Sequence, residues 1–239
     1  MKTQDPLISC ICITKNRPLF LQRAIACFER QDYPNKELVV SYPVNDLATK
    51  SIVDQIEQLS EIKIIRLEHT EQEKLGTSRN NAVLVANGTF VCFWDDDDWY
   101  SVDRISQQLS VLKDGPFKAS ILMNVLIHDE EIKETYYSLY RYFQGTLLCE
   151  KETLIHTSCS DTNKGEMDFV IPYLLSKNVL FHIIEKPSLY IFMYHGNNVL
   201  GEANFNYDLL QSTLLDQDLN QQVMNVTNLK NYHLKSLTE

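Results

Sequence analysis

The sequence predicts an α/β fold in which a mostly parallel central sheet is flanked by helices, and three observations predict it. Short apolar runs, "ISCICI", "ELVVSY", "IKIIRL" and "TFVCFW", recur through the first 94 residues. Stretches of helical period separate them, and strands alternating with helices imply βαβ units. Polar segments, "TKNR", "SYPVND" and "DDDD", fall where three of the runs end. In an open α/β sheet, ligands bind just beyond the carboxyl ends of the strands, so these distant segments are expected on one rim.

Each element follows in turn. "PLISCICIT" reads as a buried strand ending at Thr14. The helix after it carries Leu19, Ala24, Ile25, Cys27 and Phe28 at helical spacing, with Pro18 suited to its first turn. "TKSIVDQIEQLS" reads as an amphipathic helix, and "TSRNNAVLVAN" as a helix opened by a Thr or Ser cap and closed near Gly88. "SVDRISQQLSVLK" follows the aspartates as a helix capped by Ser101 or Asp103. In the second half, "ASILMNVLIH" and "IKETYYSLY" read as strands around the turn "DEE", "GEMDFVIPYLLSK" as a helix, and "VLFHII" and "PSLYIFMY" as strands, a more mixed region. The polar segment after Phe205 reads as a helical tail.

The chain has 239 residues, 44% of them hydrophobic, enough for one α/β domain with a sizeable core. Its net charge of −10 argues against a nucleic-acid-binding surface. An anionic ligand stays admissible, because a bound divalent cation inverts the local sign. The six cysteines form no C-x-x-C pair and are expected as reduced core thiols of a cytoplasmic protein. The N-terminal segment does not read as a signal peptide, and no apolar run reaches the length needed to span a bilayer.

The central question is "FVCFWDDDDWY", where an apolar strand runs into four aspartates. A solvated acidic loop fits poorly, since clustered carboxylates raise one another's pKa. An EF-hand loop needs glycine at its sixth position, and counting from Asp95 that residue is Tyr100. A divalent-metal site for a phosphorylated substrate remains, with Asp95 and Asp97 dividing contacts to a sugar hydroxyl and to the metal.

The ordered set "ISCICITKNRP", "QDYPNKELVV", "KLGTSRNNAVLVANGTFVCFWDDDDWY" and "HGNN" resembles family 2 glycosyltransferases of the GT-A (Rossmann-like) fold, of the bacterial surface-polysaccharide type. The likeness is strongest over roughly the first 110 residues. It implies a nucleotide-diphospho-sugar donor, a divalent metal (Mn²⁺ or Mg²⁺), inversion at the anomeric carbon, and a glycan or lipid-linked glycan acceptor, with peripheral membrane contact. It divides the chain into a nucleotide-sugar-binding half (1–115), an acceptor-binding half of the same domain (116–200) and a tail (201–239).

The resemblance places Thr14, Asn16, Arg79, Asp95 and Asp96 around the nucleotide, Asp97 on the metal, and His195 as a further metal ligand. Two departures stand out. The family's acidic pair after the second strand is replaced by Tyr42 and Pro43, so that Tyr42 is expected to line the base pocket, or Asp46 to substitute for the missing acid. At the family's Glu-Asp general base this chain has Glu166 and Met167, leaving Asp168 or Glu166 as the base, only one of which would face the site from a regular helix. Two rivals are a nucleotidyltransferase, against which "TKNRPLF" lacks a phosphate-binding glycine, and a sugar- or nucleotide-binding module without turnover.

Overall fold

The computed structural model describes residues 5–113, 115–198 and 202–232. The first half alternates as its apolar period dictates: β1 (Ile8–Ile13), α1 (Pro18–Glu29), β2 (Lys36–Pro43), α2 (Leu47–Leu59), β3 (Ile64–His69), α3 (Leu75–Val85) and β4 (Phe90–Phe93). β1 pairs in parallel with both β2 and β4, and β2 with β3. The central strands are buried on both faces, which is why β1 and β2 read as near-continuous apolar runs. Pro18 opens α1, where its missing N–H costs no hydrogen bond. Asp46 caps α2 by accepting from the Thr49 amide at 3.0 Å.

Beyond the aspartates come β5 (Trp99–Tyr100), α4 (Arg104–Ser110), β6 (Ala119–Leu122), β7 (Leu126–Asp129), β8 (Glu134–Tyr137) and β9 (Leu148–Glu150). Then follow α5 (Lys151–Thr157), α6 (Val170–Ser176), β10 (Leu180–Ile183), β11 (Tyr190–Tyr194), α7 (Glu202–Leu210), β12 (Thr213–Leu214) and α8 (Gln217–Thr227). Seven strands form the main sheet in the order β10-β6-β9-β4-β1-β2-β3, with β9 antiparallel between β4 and β6. A second sheet of five strands runs β12-β8-β7-β11-β5. The four aspartates therefore lie on the short link that carries the chain from the main sheet into the second one.

Several elements differ from expectation for identifiable reasons. α3 starts at Leu75, ahead of the expected Thr and Ser caps, because its first amides are met from a distant segment: the Leu75 amide donates to Asn163 Oδ1 at 2.9 Å and the Gly76 amide to the Thr162 carbonyl at 3.0 Å. "ASILMNVLIH" divides into β6 and β7, in different sheets, where buried Asn124 donates to the Tyr137 hydroxyl at 2.6 Å and accepts from the Glu185 amide at 3.1 Å. The helix expected over "GEMDFVIPYLLSK" covers only Val170–Ser176, and residues 166–169 form a turn before it. The tail is helical in α7 and α8, and residues 233–239 lie outside the described residues.

Tyr42 corrects a second expectation. It alternates with Leu38 and Val40 on the face of β2 that packs against α1 and α2, is fully buried there, and donates its hydroxyl to Glu68 Oε1 at 3.1 Å. It is a core residue and lines no base pocket. Asp46 is equally committed, both its oxygens being used by Asn16, Thr49 and the start of α2. Tyr42→Ala is accordingly expected to cost about 3 kcal/mol of stability, the range for removing a buried aromatic ring. A urea unfolding midpoint equal to that of the unaltered chain would place the ring outside the core.

Candidate functional site

The acidic link is fixed first by its apolar flanks. Trp94 is fully buried, donates its indole N–H to the Ala24 carbonyl at 2.9 Å, and stacks on Tyr100 with ring centroids 3.9 Å apart. The Tyr100 hydroxyl returns to donate to the Asp95 carbonyl at 2.7 Å. Trp99 spends its N–H on the Tyr232 hydroxyl. Both tryptophans are thus packing residues that clamp the link at its two ends.

Between the clamps the carboxylates turn to different sets of partners, with Arg17 shared by Asp96 and Asp97. Asp95 accepts from Arg79 Nη2 at 2.7 Å, and Arg79, on α3, also reaches Glu166 at 3.1 Å. Asp96 accepts from the Thr14 hydroxyl at 2.7 Å and from Arg17 Nη1 at 3.1 Å. Asp97 Oδ2 lies 2.7 Å from Arg17 Nη1 and 3.2 Å from His195 Nε2. Asp98 accepts from the Tyr190 hydroxyl and from the Met193 amide, both on β11.

These surroundings set the carboxyls apart electrostatically. Burial lifts Asp98 well above the carboxylate range, with the charges of Asp97 and Asp95 adding to the effect. Burial and the Asp97 charge lift Asp96 to about 7, against Arg17 and Thr14, which favour its ionised form. Burial acts on Asp97 too, but the His195 hydrogen bond and Arg17 outweigh it and hold this carboxyl below its ordinary value. One ionised oxygen therefore stands out among the four.

The link forms one wall of a cavity of about 500 Å³. Of the residues expected at the site, Arg79, Asp95, Asp96, Asp97, Glu166 and Asp168 line it. Thr14 is buried behind Asp96, and its hydroxyl orients that carboxylate. Asn16 is exposed, with a left-handed φ of 55°, and its amide donates to Asp46 Oδ2. Neither Thr14 nor Asn16 lines the cavity, and nor does Tyr42. His195 sits behind Asp97, its ring 4.7 Å from that of Phe20.

Glu166 and Asp168 both reach the cavity, correcting the expectation that only one of them faces it. The segment is a turn, and the residue between them, Met167, is wholly buried in the core under α3 and α6. Gly165 makes the turn possible: its φ is +67°, and a Cβ there would come within 2.5 Å of Asp168 Oδ2. Glu166 is held by Arg79, whereas the exposed Asp168 makes no ion pair among the described residues.

Arg17, which meets both Asp96 and Asp97, is not among the site residues expected from the sequence. It follows Thr14 by three residues at the same strand end, where it and Lys15 put cations on an acidic rim. Tyr190 and Gly145, which also meet the aspartates, carry no local sequence signal.

A family model described as "Glycosyl transferase family 2" matches residues 9–172. Among curated proteins, the chain is 32% identical over 126 residues to the GalNAc(5)-diNAcBac-PP-undecaprenol beta-1,3-glucosyltransferase of Campylobacter jejuni, covering 52% of this chain and 40% of that one. It is 31% identical over 104 residues to the putative colanic acid biosynthesis glycosyl transferase WcaA of Escherichia coli K12, covering 43% of this chain and 36% of that one. The matches thus span less than half the length of these relatives. Among solved structures, Staphylococcus aureus TarS 1-349 in complex with UDP superposes with a TM-score of 0.63 at 17% identity, covering 97% of this chain and 73% of that one. The mannosyltransferase PcManGT from Pyrobaculum calidifontis, in complex with GDP-Man and Mn²⁺, gives 0.66 at 14% identity, covering 98% and 72%. Both likenesses establish the fold, the GT-A arrangement expected from the sequence.

The raised Asp96 carboxyl has a consequence for stability. An unfolded aspartate titrates near about 3.9. Between about 4 and 7 the folded chain keeps a proton at Asp96 that the unfolded chain has released, so this group makes stability fall as pH rises through that window. Urea midpoints in metal-free buffer at about pH 5 and about pH 8 are expected to converge in Asp96→Asn relative to the unaltered chain. An identical pH slope in the two proteins would contradict this environment for Asp96.

Proposed function

The chain belongs to glycosyl transferase family 2, and from that premise we propose that it moves a sugar from a nucleotide-diphospho-sugar to a hydroxyl of a bacterial surface glycan or its lipid-linked precursor. The transfer is a single displacement with inversion, aided by a divalent metal. The observation that carries this reading is that one cavity is lined both by the Asp95–Asp98 link and by Asp168, which makes no ion pair among the described residues. A glycosyltransferase needs both: a place for the diphosphate, and a base for the acceptor hydroxyl.

The residues present suit a divalent metal. Asp97 offers an ionised oxygen with an imidazole nitrogen 3.2 Å away, and a mixed carboxylate and imidazole pair favours Mn²⁺ over Mg²⁺. Among the described residues no group of three His, Cys, Asp or Glu side chains forms a closed site, so the other ligands would be diphosphate oxygens and water. Asp97 and His195 would hold the ion, which supplies Lewis-acid stabilisation of the departing diphosphate. Arg17, which lines the cavity beside Asp97, is placed to bind the same phosphates. Arg79 and Asp95 bind the ribose and phosphate side, with Thr14 and Asp96 holding the link in shape behind them. Asn16 stands at the exposed rim of the nucleotide side.

Asp168 is the general base. It takes the acceptor's hydroxyl proton while the acceptor oxygen bonds to the anomeric carbon, and the bond from that carbon to the diphosphate oxygen breaks with its electron pair leaving on the nucleotide. Glu166 is less suited, because its carboxylate is already engaged by Arg79 at 3.1 Å. Its place is to hold Arg79 against Asp95. Among the described residues no helix is long and apolar enough to cross a membrane. A cytoplasmic site of action, at the inner membrane face when the acceptor is lipid-linked, agrees with six buried free thiols and with the undecaprenol-linked substrate in the Campylobacter relative's name.

Transfer measured with nucleotide-sugar donors and lipid-linked glycan acceptors tests the roles. Asp168→Asn is expected to lower the rate about 10²- to 10⁴-fold with donor affinity intact, the usual contribution of a positioned base. Glu166→Gln should be milder in rate and weaken donor binding. Normal transfer by Asp168→Asn together with an inactive Glu166→Gln would reverse the assignment.

A further inference from the structure

Arg104, the first residue of α4, is fully buried, yet among the described residues none of its hydrogen bonds is to a carboxylate. Its Nε donates to Gln108 Oε1 at 3.0 Å, and its Nη2 to the carbonyls of Phe93 at 3.0 Å and Gly145 at 3.4 Å. Among the described residues its Nη1 has no partner. The guanidinium carbon lies 5.2 Å from the ring centroid of Trp94, 4.7 Å from Tyr100 and 5.3 Å from Tyr190. Cation–π attraction offsets part of the desolvation. A buried charge with an unmet donor is nevertheless a costly filler, and an apolar side chain of similar volume would serve packing better.

What this cation touches explains its presence. The Tyr100 hydroxyl donates to the Asp95 carbonyl, and the Tyr190 hydroxyl to the Asp98 carboxylate. Gly145 abuts the same place: a Cβ there would stand 2.8 Å from Asp95 Oδ2 and 3.2 Å from the Tyr190 oxygen. The Phe93 carbonyl is at the end of β4, where the acidic link departs. Two of the three rings, and both backbone carbonyls, thus connect Arg104 to the link.

We propose that Arg104 is the positioning residue of the acidic link, a buried cation that holds Asp95 and Asp98 in place for a metal–diphosphate by fixing Tyr100, Tyr190 and the chain at Gly145. The proposal rests on the reading of that link as the donor site. A through-space charge effect would be kept in full by a lysine at the same place, whereas positioning through the planar fork would be lost in part even with the charge retained.

The test uses the full chain with Arg104→Gln and with Arg104→Lys, which keeps the charge but loses the planar fork. Calorimetric titration of UDP and of GDP in the presence of Mn²⁺ is expected to give affinity about 10-fold or more weaker in Arg104→Gln, as for other residues that support metal ligands, with Arg104→Lys in between. Hydrogen exchange of the folded variants is expected to quicken over residues 94–100 and to stay unchanged in β1 and β2. Equal or tighter affinity, or exchange that is unchanged or quickened throughout, overturns the proposal. Should the unaltered chain bind neither nucleotide with Mn²⁺, the donor-site reading fails, and the exchange pattern alone decides the role of Arg104. Should Arg104→Gln not fold, Tyr190→Phe removes only the hydroxyl on Asp98, and the same local quickening is required of it.

Discussion

The mutual repulsion of Asp95, Asp96, Asp97 and Asp98 is the constraint that most of the tertiary structure answers. Four adjacent carboxylates on a partly buried link would be unstable if they shared one environment. The chain gives them different sets of partners, with Arg17 shared by Asp96 and Asp97: Arg79 from α3, Thr14 and Arg17 from the end of β1, His195 from beyond β11, and Tyr190 with the Met193 amide from β11 itself. Neutralising the link therefore also docks these elements around it. The second sheet is tied to the first at this point, since β5 continues the link and pairs with β11, which supplies the partners of Asp98.

The separation also differentiates the carboxyls. Asp98 is a structural acid, enclosed and hydrogen-bonded on both oxygens. Asp96 is shared between a hydroxyl and a guanidinium. Asp97 alone keeps an ionised oxygen next to an imidazole on the cavity side. A run of identical residues thus yields one strong anionic contact, and the others support it. Asp95, Arg79 and Glu166 are joined by ion pairs along the cavity wall, whereas Asp168 makes none among the described residues.

The first half of this arrangement was legible because it is written in local period. Apolar strands buried on both faces, an opening proline at Pro18 and the cap at Asp46 are short-range signals, and β1 to β4 fall where the pattern put them. The second half is not local. Asn124 breaks an apparent single strand through contacts with Tyr137 and Glu185, and the start of α3 is capped by residues 162 and 163, far along the chain. Tyr42 holds a site position in the family pattern, but its alternation with Leu38 and Val40 puts it on the core face. The acidic run announced a site. Among its balancing cations, Arg79 is expected beside the nucleotide from the resemblance, whereas the contacts of Arg17 and Arg104 with the link arise only through the fold.

The central claim is that a divalent cation, held at Asp97, admits the nucleoside diphosphate to this acidic wall. The direct measurement is calorimetric binding of nucleoside diphosphates to the unaltered chain and to Asp97→Asn, each with Mn²⁺ and with EDTA. The account predicts binding to the unaltered chain with Mn²⁺, its loss in EDTA, and little response to Mn²⁺ in Asp97→Asn. Equal affinity with Mn²⁺ and with EDTA in the unaltered chain would contradict it.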